Sequence, residues 1–330
     1  MWQGLLLCGA LTFTGFALTY LPWLASSGIS PLVVALLLGL IAGNLPFARH
    51  FTRTQPGLDF ATRWLLRGGV VLFGFSLTVQ QVFALGPWAL LLDIVVVCTV
   101  LVVGYQIGTR LLGMDRETTL LTCAGSAICG AAAVLATETT IRSKPAAASI
   151  AVATVVLFGS LAMVIYPLLY PLTGMSEGLY GVYIGATVHE VAQVVAAADA
   201  VGQDALTNAV IVKLVRVMLL IPFLLIIGQW WSKQHASDAS IKTGKLVVPW
   251  FAFGFMAVVG INSFMTLPSA LSQTLIFAGQ VALAMAMAAL GFGTRIAKLM
   301  ELGVRPFILG LILFVLLVVG GGLLSQLLVG

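Results

Sequence analysis

CAGSAICGAAA, from Cys123 to Ala133, is the stretch on which the fold turns. It sits inside an apolar segment, 117–141, long enough to cross a bilayer, yet it is built of small and polar residues with glycines at Gly125 and Gly130. A lipid-facing helix has no use for such a run. Arms of about ten residues on either side of a break each span roughly 15 Å, half the hydrocarbon thickness. The segment therefore reads as a re-entrant hairpin broken near the midplane, or else as a discontinuous helix that crosses. Irregular backbone at that depth is tolerated only where protein or water surrounds it, because lipid cannot satisfy freed N–H and C=O groups. A second break of the same kind, IGATVHEVAQ from Ile184 to Gln193, interrupts the segment 177–200.

Outward from these two, apolar segments recur at 2–24, 31–46, 68–84, 88–109, 146–172, 205–231, 246–264, 270–293 and 306–328. The chain is 60% hydrophobic and 8% charged, where soluble domains carry about 25% charge. The fold class this implies is an all-α polytopic membrane protein, in a single transmembrane domain over 1–330. It should have about nine to eleven transmembrane helices, inverted repeats and two discontinuous or re-entrant segments. The first stretch, Trp2 to Leu24, reads as a retained span rather than a signal peptide, having no Lys or Arg before it.

Loop charge sets orientation. Arg49, Arg53, Arg63 and Arg67 load one connection, Arg110 and Arg116 another; Lys233, Lys242 and Lys245 lie in a third, and Arg295, Lys298 and Arg305 in the last. The positive-inside rule makes these cytoplasmic, with the N-terminus in the cytoplasm and the C-terminus in the periplasm. Arg142 and Lys144 violate the rule if 117–141 crosses and obey it if both broken segments re-enter. The net charge of +5 is then an orientation signal, not a sign of nucleic-acid binding. Cys8, Cys98, Cys123 and Cys129 show no C-x-x-C spacing and read as buried thiols.

Two self-similarities appear. LFGFSLTVQQVFALG (Leu72 to Gly86) pairs with ALGFGTRIAKLMELG (Ala289 to Gly303), aligning Gly74 with Gly291, Phe75 with Phe292 and Gly86 with Gly303. The two broken segments pair with Gly125 on Gly185. Inverted repeats in transporters place a site at the midplane between them.

Ionisable groups within spans are costly and mark function by default. Lys213 and Arg216, three apart on one helix face, require anions, supplied by a structural network or by an anionic substrate. His189 and Glu190 follow the second break, where a protonatable pair could couple ion movement to transport; Gln193 and Glu138 join them as ion-coupling candidates. Gly125, Ser126, Cys129 and Gly130 offer backbone amides at a half-helix N-terminus, a place suited to an anion, or else allow close helix packing. Asp93, about one turn past Trp88, reads as a solvated helix-end residue near the outer interface. Asn262 and Gln280 are weaker candidates. HEVAQ, from His189 to Gln193, lacks the second histidine of a zinc-protease helix, so no metal and no cofactor are expected.

At GSAICGAAAVLATE, GATVHEVAQVVAAA and KLVRVMLLIP the sequence resembles the YeiH-type sulfate-exporter family of bacterial inner-membrane proteins, over nearly the whole chain. The GFSLT and LGFGT elements look like repeat signatures of the broader cation–proton antiporter and anion transporter superfamily, which includes bile-acid-type symporters. The resemblance implies a core-and-scaffold transporter with broken helices, often dimeric. One segment more than the ten-helix symporter pattern puts the pairing of repeats in doubt. The expectation is an inner-membrane secondary transporter of a small anion (sulfate, a sulfonate or an organic acid), coupled to H⁺ or Na⁺ because no ATP-binding motif is present. The alternatives are a channel-like protein or an intramembrane enzyme; an enzyme would show a nucleophile with its base or a full metal set, and neither is visible.

Overall fold

The computed structural model describes residues 1–19, 31–45, 54–234, 250–265, 267–293 and 303–330. The loop charges Arg49, Arg53, Lys242, Lys245, Arg295 and Lys298 lie outside them. In chain order the helices are α1 (Trp2–Thr19), α2 (Pro31–Asn44), α3 (Gln55–Phe60), α4 (Leu66–Phe73), α5 (Val79–Ala84), α6 (Gly86–Gln106), α7 (Arg116–Ala127), α8 (Ala131–Ile141) and α9 (Pro145–Thr173). They continue with α10 (Glu177–Thr187), α11 (Val191–Asp199), α12 (Gln203–Met218), α13 (Leu220–Gln234), α14 (Trp250–Phe264), α15 (Ser269–Gly293), α16 (Val304–Val315) and α17 (Gly321–Leu328). π-Helical turns at Ala61–Leu65 and Leu316–Gly320 join α3 to α4 and α16 to α17, and a third, Ile107–Leu111, extends α6. Among the described residues there is no strand.

Six of these runs are long and apolar enough to cross a membrane: Trp2–Thr19, Gly86–Leu111, Pro145–Thr173, Gln203–Lys233, Ser269–Gly293 and Val304–Leu328. Their exposed faces carry large apolar side chains such as Phe13, Val102, Leu168, Phe277 and Val319, as lipid contact requires. The chain is thus an all-α polytopic membrane protein. Gly86, the first residue of α6, and Gly303, directly before α16, are paired by the sequence and both take positive φ, 68° and 69°; residues 294–302 lie outside the described residues.

The chain divides into two compact units. The first comprises Met1–Leu85, Val195–Gln203 and Trp250–Lys298. Within it α2 and α15 approach backbone to backbone through small residues. A Cβ on Gly39 would strike the Ala288 carbonyl, and one on Gly291 would strike that of Leu36. This unit holds a break the sequence did not expect. Leu77 and Thr78 are extended, and Thr78 with Gln81 forms a capping box that starts α5. Asn262 Nδ2 donates to the Leu77 carbonyl at 2.9 Å, and the Val79 N–H donates to Ser263 Oγ at 2.7 Å. Asn262 is therefore a structural residue that satisfies freed backbone.

The second unit comprises Gly86–Val194, Asp204–Pro249 and Leu299–Gly330. It holds the whole of the first broken segment and, of the second, the residues up to Val194 together with Asp204 beyond it; both segments are re-entrant hairpins, because their ends meet. Glu117, in the first turn of α7, accepts from the Lys144 N–H at 3.0 Å, just past the end of α8. Glu177, at the start of α10, accepts from the Asp204 N–H at 2.7 Å, just past the end of α11. A continuous crossing would hold such ends about 36 Å apart. The register that aligns Gly125 with Gly185 also aligns Glu117 with Glu177 and Lys144 with Asp204, so the repeat extends to the clasp that closes each hairpin. The first hairpin closes at Lys144, directly before α9, and the second opens at Glu177, just after α9 ends at Thr173. That helix of 29 residues is about 43 Å long, so the hairpins enter from opposite ends of it.

This geometry makes a labelling prediction. In protein with Cys98 replaced, a membrane-impermeant maleimide is expected to reach Arg142→Cys from only one face of oriented vesicles and Met175→Cys from only the other. Labelling of both from the same face contradicts opposed hairpins.

Candidate functional site

The break residues of both hairpins converge on one face of α12. α7 ends at Ala127 and α10 at Thr187, each presenting C-terminal carbonyls, while α8 and α11 begin just beyond, presenting N-terminal amides. Helix ends carry partial charge of roughly half a unit, negative at the C-terminus and positive at the N-terminus. Four such ends are gathered in the second unit.

Lys213 and Arg216 neutralise the two negative ends. Arg216 donates from Nε to the Ala127 carbonyl at 2.6 Å, from Nη1 to that of Ala186 at 2.6 Å and from Nη2 to that of Ser126 at 2.8 Å. Lys213 Nζ donates to the Ile128 and Val188 carbonyls at 2.6 and 2.8 Å. Ser126 pairs with Ala186, and Ile128 with Val188, in the same register as the repeat. The cations thus tie equivalent carbonyls of the two hairpins together. Both side chains are fully buried, about 15 and 20 Å along the Gln203–Lys233 run from its start. The sequence offered two readings of this pair that can coexist; five of their N–H groups go to backbone carbonyls, as the structural one requires.

A carboxylate occupies a positive end. Glu190 Oε1 accepts from the Ala131 N–H at 3.2 Å, at the first turn of α8. Gly130 is what lets it approach: its φ of 70° and ψ of −139° suit only glycine, and a Cβ there would strike the Glu190 side chain. The Glu190 N–H donates to Gln193 Oε1 at 3.2 Å, capping α11, and Gln193 Nε2 reaches Ser160 Oγ at 3.4 Å. His189, beside Glu190, is 1% exposed and its Nδ1 has no partner.

Among the other sequence candidates, Cys129 is buried in the break itself. Gly125 faces Val134 of α8 and Val155 of α9, so its smallness serves packing inside the hairpin and against α9. Glu138 is not brought to the break; it lies about 12 Å along α8 from Gly130, in the last turns of the helix. Asp93 overturns its reading as a solvated helix end. It is fully buried, and neither carboxylate oxygen has a hydrogen-bond partner. It couples electrostatically to Arg216 and Lys213. Its signal was an ionisable residue two turns inside a long apolar helix, the rule that singled out the others. Ser160 gave no signal beyond its small polar side chain.

Opposed re-entrant hairpins, pinned at mid-membrane by buried cations, define a polytopic helical membrane protein built around a broken-helix centre. The chain belongs to the family described as conserved hypothetical protein 698, whose model matches residues 3–310. It is 44% identical to the UPF0324 membrane protein PA5383 of Pseudomonas aeruginosa, over 98% of this chain and 93% of that one. It is 41% identical to the UPF0324 inner membrane protein YeiH of Salmonella typhimurium, over 99% and 95%. With YeiH of Escherichia coli K12 the identity is 40%, over 98% and 93%. No solved structure matches the chain.

Proposed function

We propose that this protein is a secondary active transporter of a small anion, sulfate, a sulfonate or a small organic acid, working by alternating access in a bacterial inner membrane. The location follows the names of its relatives, and the transport reading follows the site. The observation that carries it is the Glu190 carboxylate at the N-terminus of α8: a built oxyanion position within the hairpin centre, filled by the protein's own anion. An entering anion displaces Glu190 from the Ala131 amide and meets the unpartnered Nδ1 of His189. Lys213 and Arg216 hold the two hairpins in register and give the centre its positive background.

The test is thermal stabilisation of purified protein by a panel of sulfate, sulfite, sulfonates and carboxylates, since a ligand that binds only the native state raises its stability with occupancy. At least one anion is expected to stabilise the protein selectively. Glu190→Gln removes a like charge from the site and is expected to tighten binding by about tenfold or more. A panel without a hit, or a Glu190→Gln protein that binds no tighter, contradicts the reading.

A further inference from the structure

We propose that Asp93 is the proton-binding site that couples this centre to the proton gradient, loading one proton as each anion binds; the inference rests on the anion-transport reading above. Two observations carry it. Asp93 is a fully buried carboxyl group on α6 with no hydrogen bond to either oxygen, in a protein whose other mid-membrane polar groups mostly have partners. The cations to which it couples, Arg216 and Lys213, spend five donors on hairpin carbonyls, so Asp93 contributes charge to the centre without holding it together.

Charge balance then decides the role. With every group ionised, Lys213 and Arg216 are matched by Asp93 and Glu190, and the two negative helix ends cancel the two positive ones. The centre is neutral before substrate arrives. A monoanion that displaces Glu190 from α8 leaves one negative charge in excess, in a medium that strongly penalises an uncompensated ion. One proton taken up at mid-membrane restores balance. Displaced Glu190 meets the water that opens to the site with the anion, and His189 carries no negative charge to neutralise; the carboxylate left buried without a donor is Asp93. Asp93 has nothing to give up on protonation, because no donor points at it.

The titratable neighbours are few. The hairpin arms packed against α6 carry Arg116, Glu117 and Cys123 on α7, and Glu177, Tyr180 and Tyr183 on α10. Arg110 extends α6 itself, and Arg305 opens α16, which also touches it. Glu117 and Glu177 are engaged at the hairpin clasps. Tyr180 and Tyr183 donate to the Tyr166 and Val318 carbonyls.

The experiment counts protons. Full-length protein in weakly buffered detergent is titrated with sulfate, methanesulfonate and succinate while a pH indicator reports uptake. With the monoanion methanesulfonate the wild type is expected to take up about one proton per anion bound, so that affinity rises up to about tenfold for each unit the pH falls; the dianions sulfate and succinate should take up at least as much. Asp93→Asn should bind anion with no proton uptake and a flat pH profile. Asp93→Glu should keep uptake with its pH dependence displaced, whereas Glu190→Gln starts one negative charge short and should bind the monoanion with little or no uptake. Anion binding by the wild type without proton uptake overturns the inference and leaves the transport reading standing. So does uptake that survives in Asp93→Asn, or an Asp93→Glu pH profile identical to that of the wild type. Failure of all three probes to bind the wild type overturns the transport reading and this inference with it.

Discussion

Arg216→Ala is expected to unfold the centre of the protein rather than merely weaken a ligand. The substitution leaves the carbonyls of Ser126, Ala127 and Ala186 buried without donors and removes the charge facing two helix C-termini. Truncating one partner of a buried charged network costs about 3–5 kcal/mol, and lipid offers no replacement hydrogen bonds. The melting midpoint in detergent should fall by about 10 °C. Arg216→Lys keeps the charge but loses the three-way fork, and should fall between the two. A stable Arg216→Ala protein that has lost only anion binding would show that the guanidinium is a substrate ligand and not a clamp.

Gly130→Ala should have the second largest effect, on binding before stability. At φ 70° and ψ −139° a Cβ costs about 1–3 kcal/mol of backbone strain. The same Cβ lies where the Glu190 side chain now runs, so Glu190 must leave the α8 N-terminus. The oxyanion position is blocked, and anion-induced stabilisation should fall by about tenfold or more, whereas Gly125→Ala acts only through packing against Val134 and Val155. Equal anion binding in Gly130→Ala and wild type would remove the α8 N-terminus from the site.

The hairpins were legible because lipid enforces a strict rule: a membrane segment rich in Gly, Ala and Ser with a polar break has to be surrounded by protein. Loop charge then favoured re-entry, since only hairpins put Arg142 and Lys144 on the same side as Arg116. The clasps were not legible, because Glu117 and Glu177 look like ordinary first-turn acids until the backbone N–H groups of Lys144 and Asp204 fold back to them. Lys213 and Arg216 were visible as buried cations, but their partners are main-chain carbonyls, which leave no trace in a sequence. Asp93 was misplaced by its distance along the chain from Trp88; its surroundings depend on how α6 packs against the hairpins, which helical periodicity does not reveal in a segment apolar on every side. The break at Leu77 was hidden inside an unremarkable Ser-Leu-Thr run, and only the donors Asn262 and Ser263, far along the chain, mark it.

The most direct test of transport by this centre is flux of labelled anion into proteoliposomes of the purified protein under an imposed pH gradient. Accumulation above equilibrium that follows the pH gradient, is abolished in Gly130→Ala and loses its gradient dependence in Asp93→Asn is the predicted result. Anion flux that only equilibrates, whatever the gradient, or no flux of any anion in the panel, would contradict a coupled anion transporter.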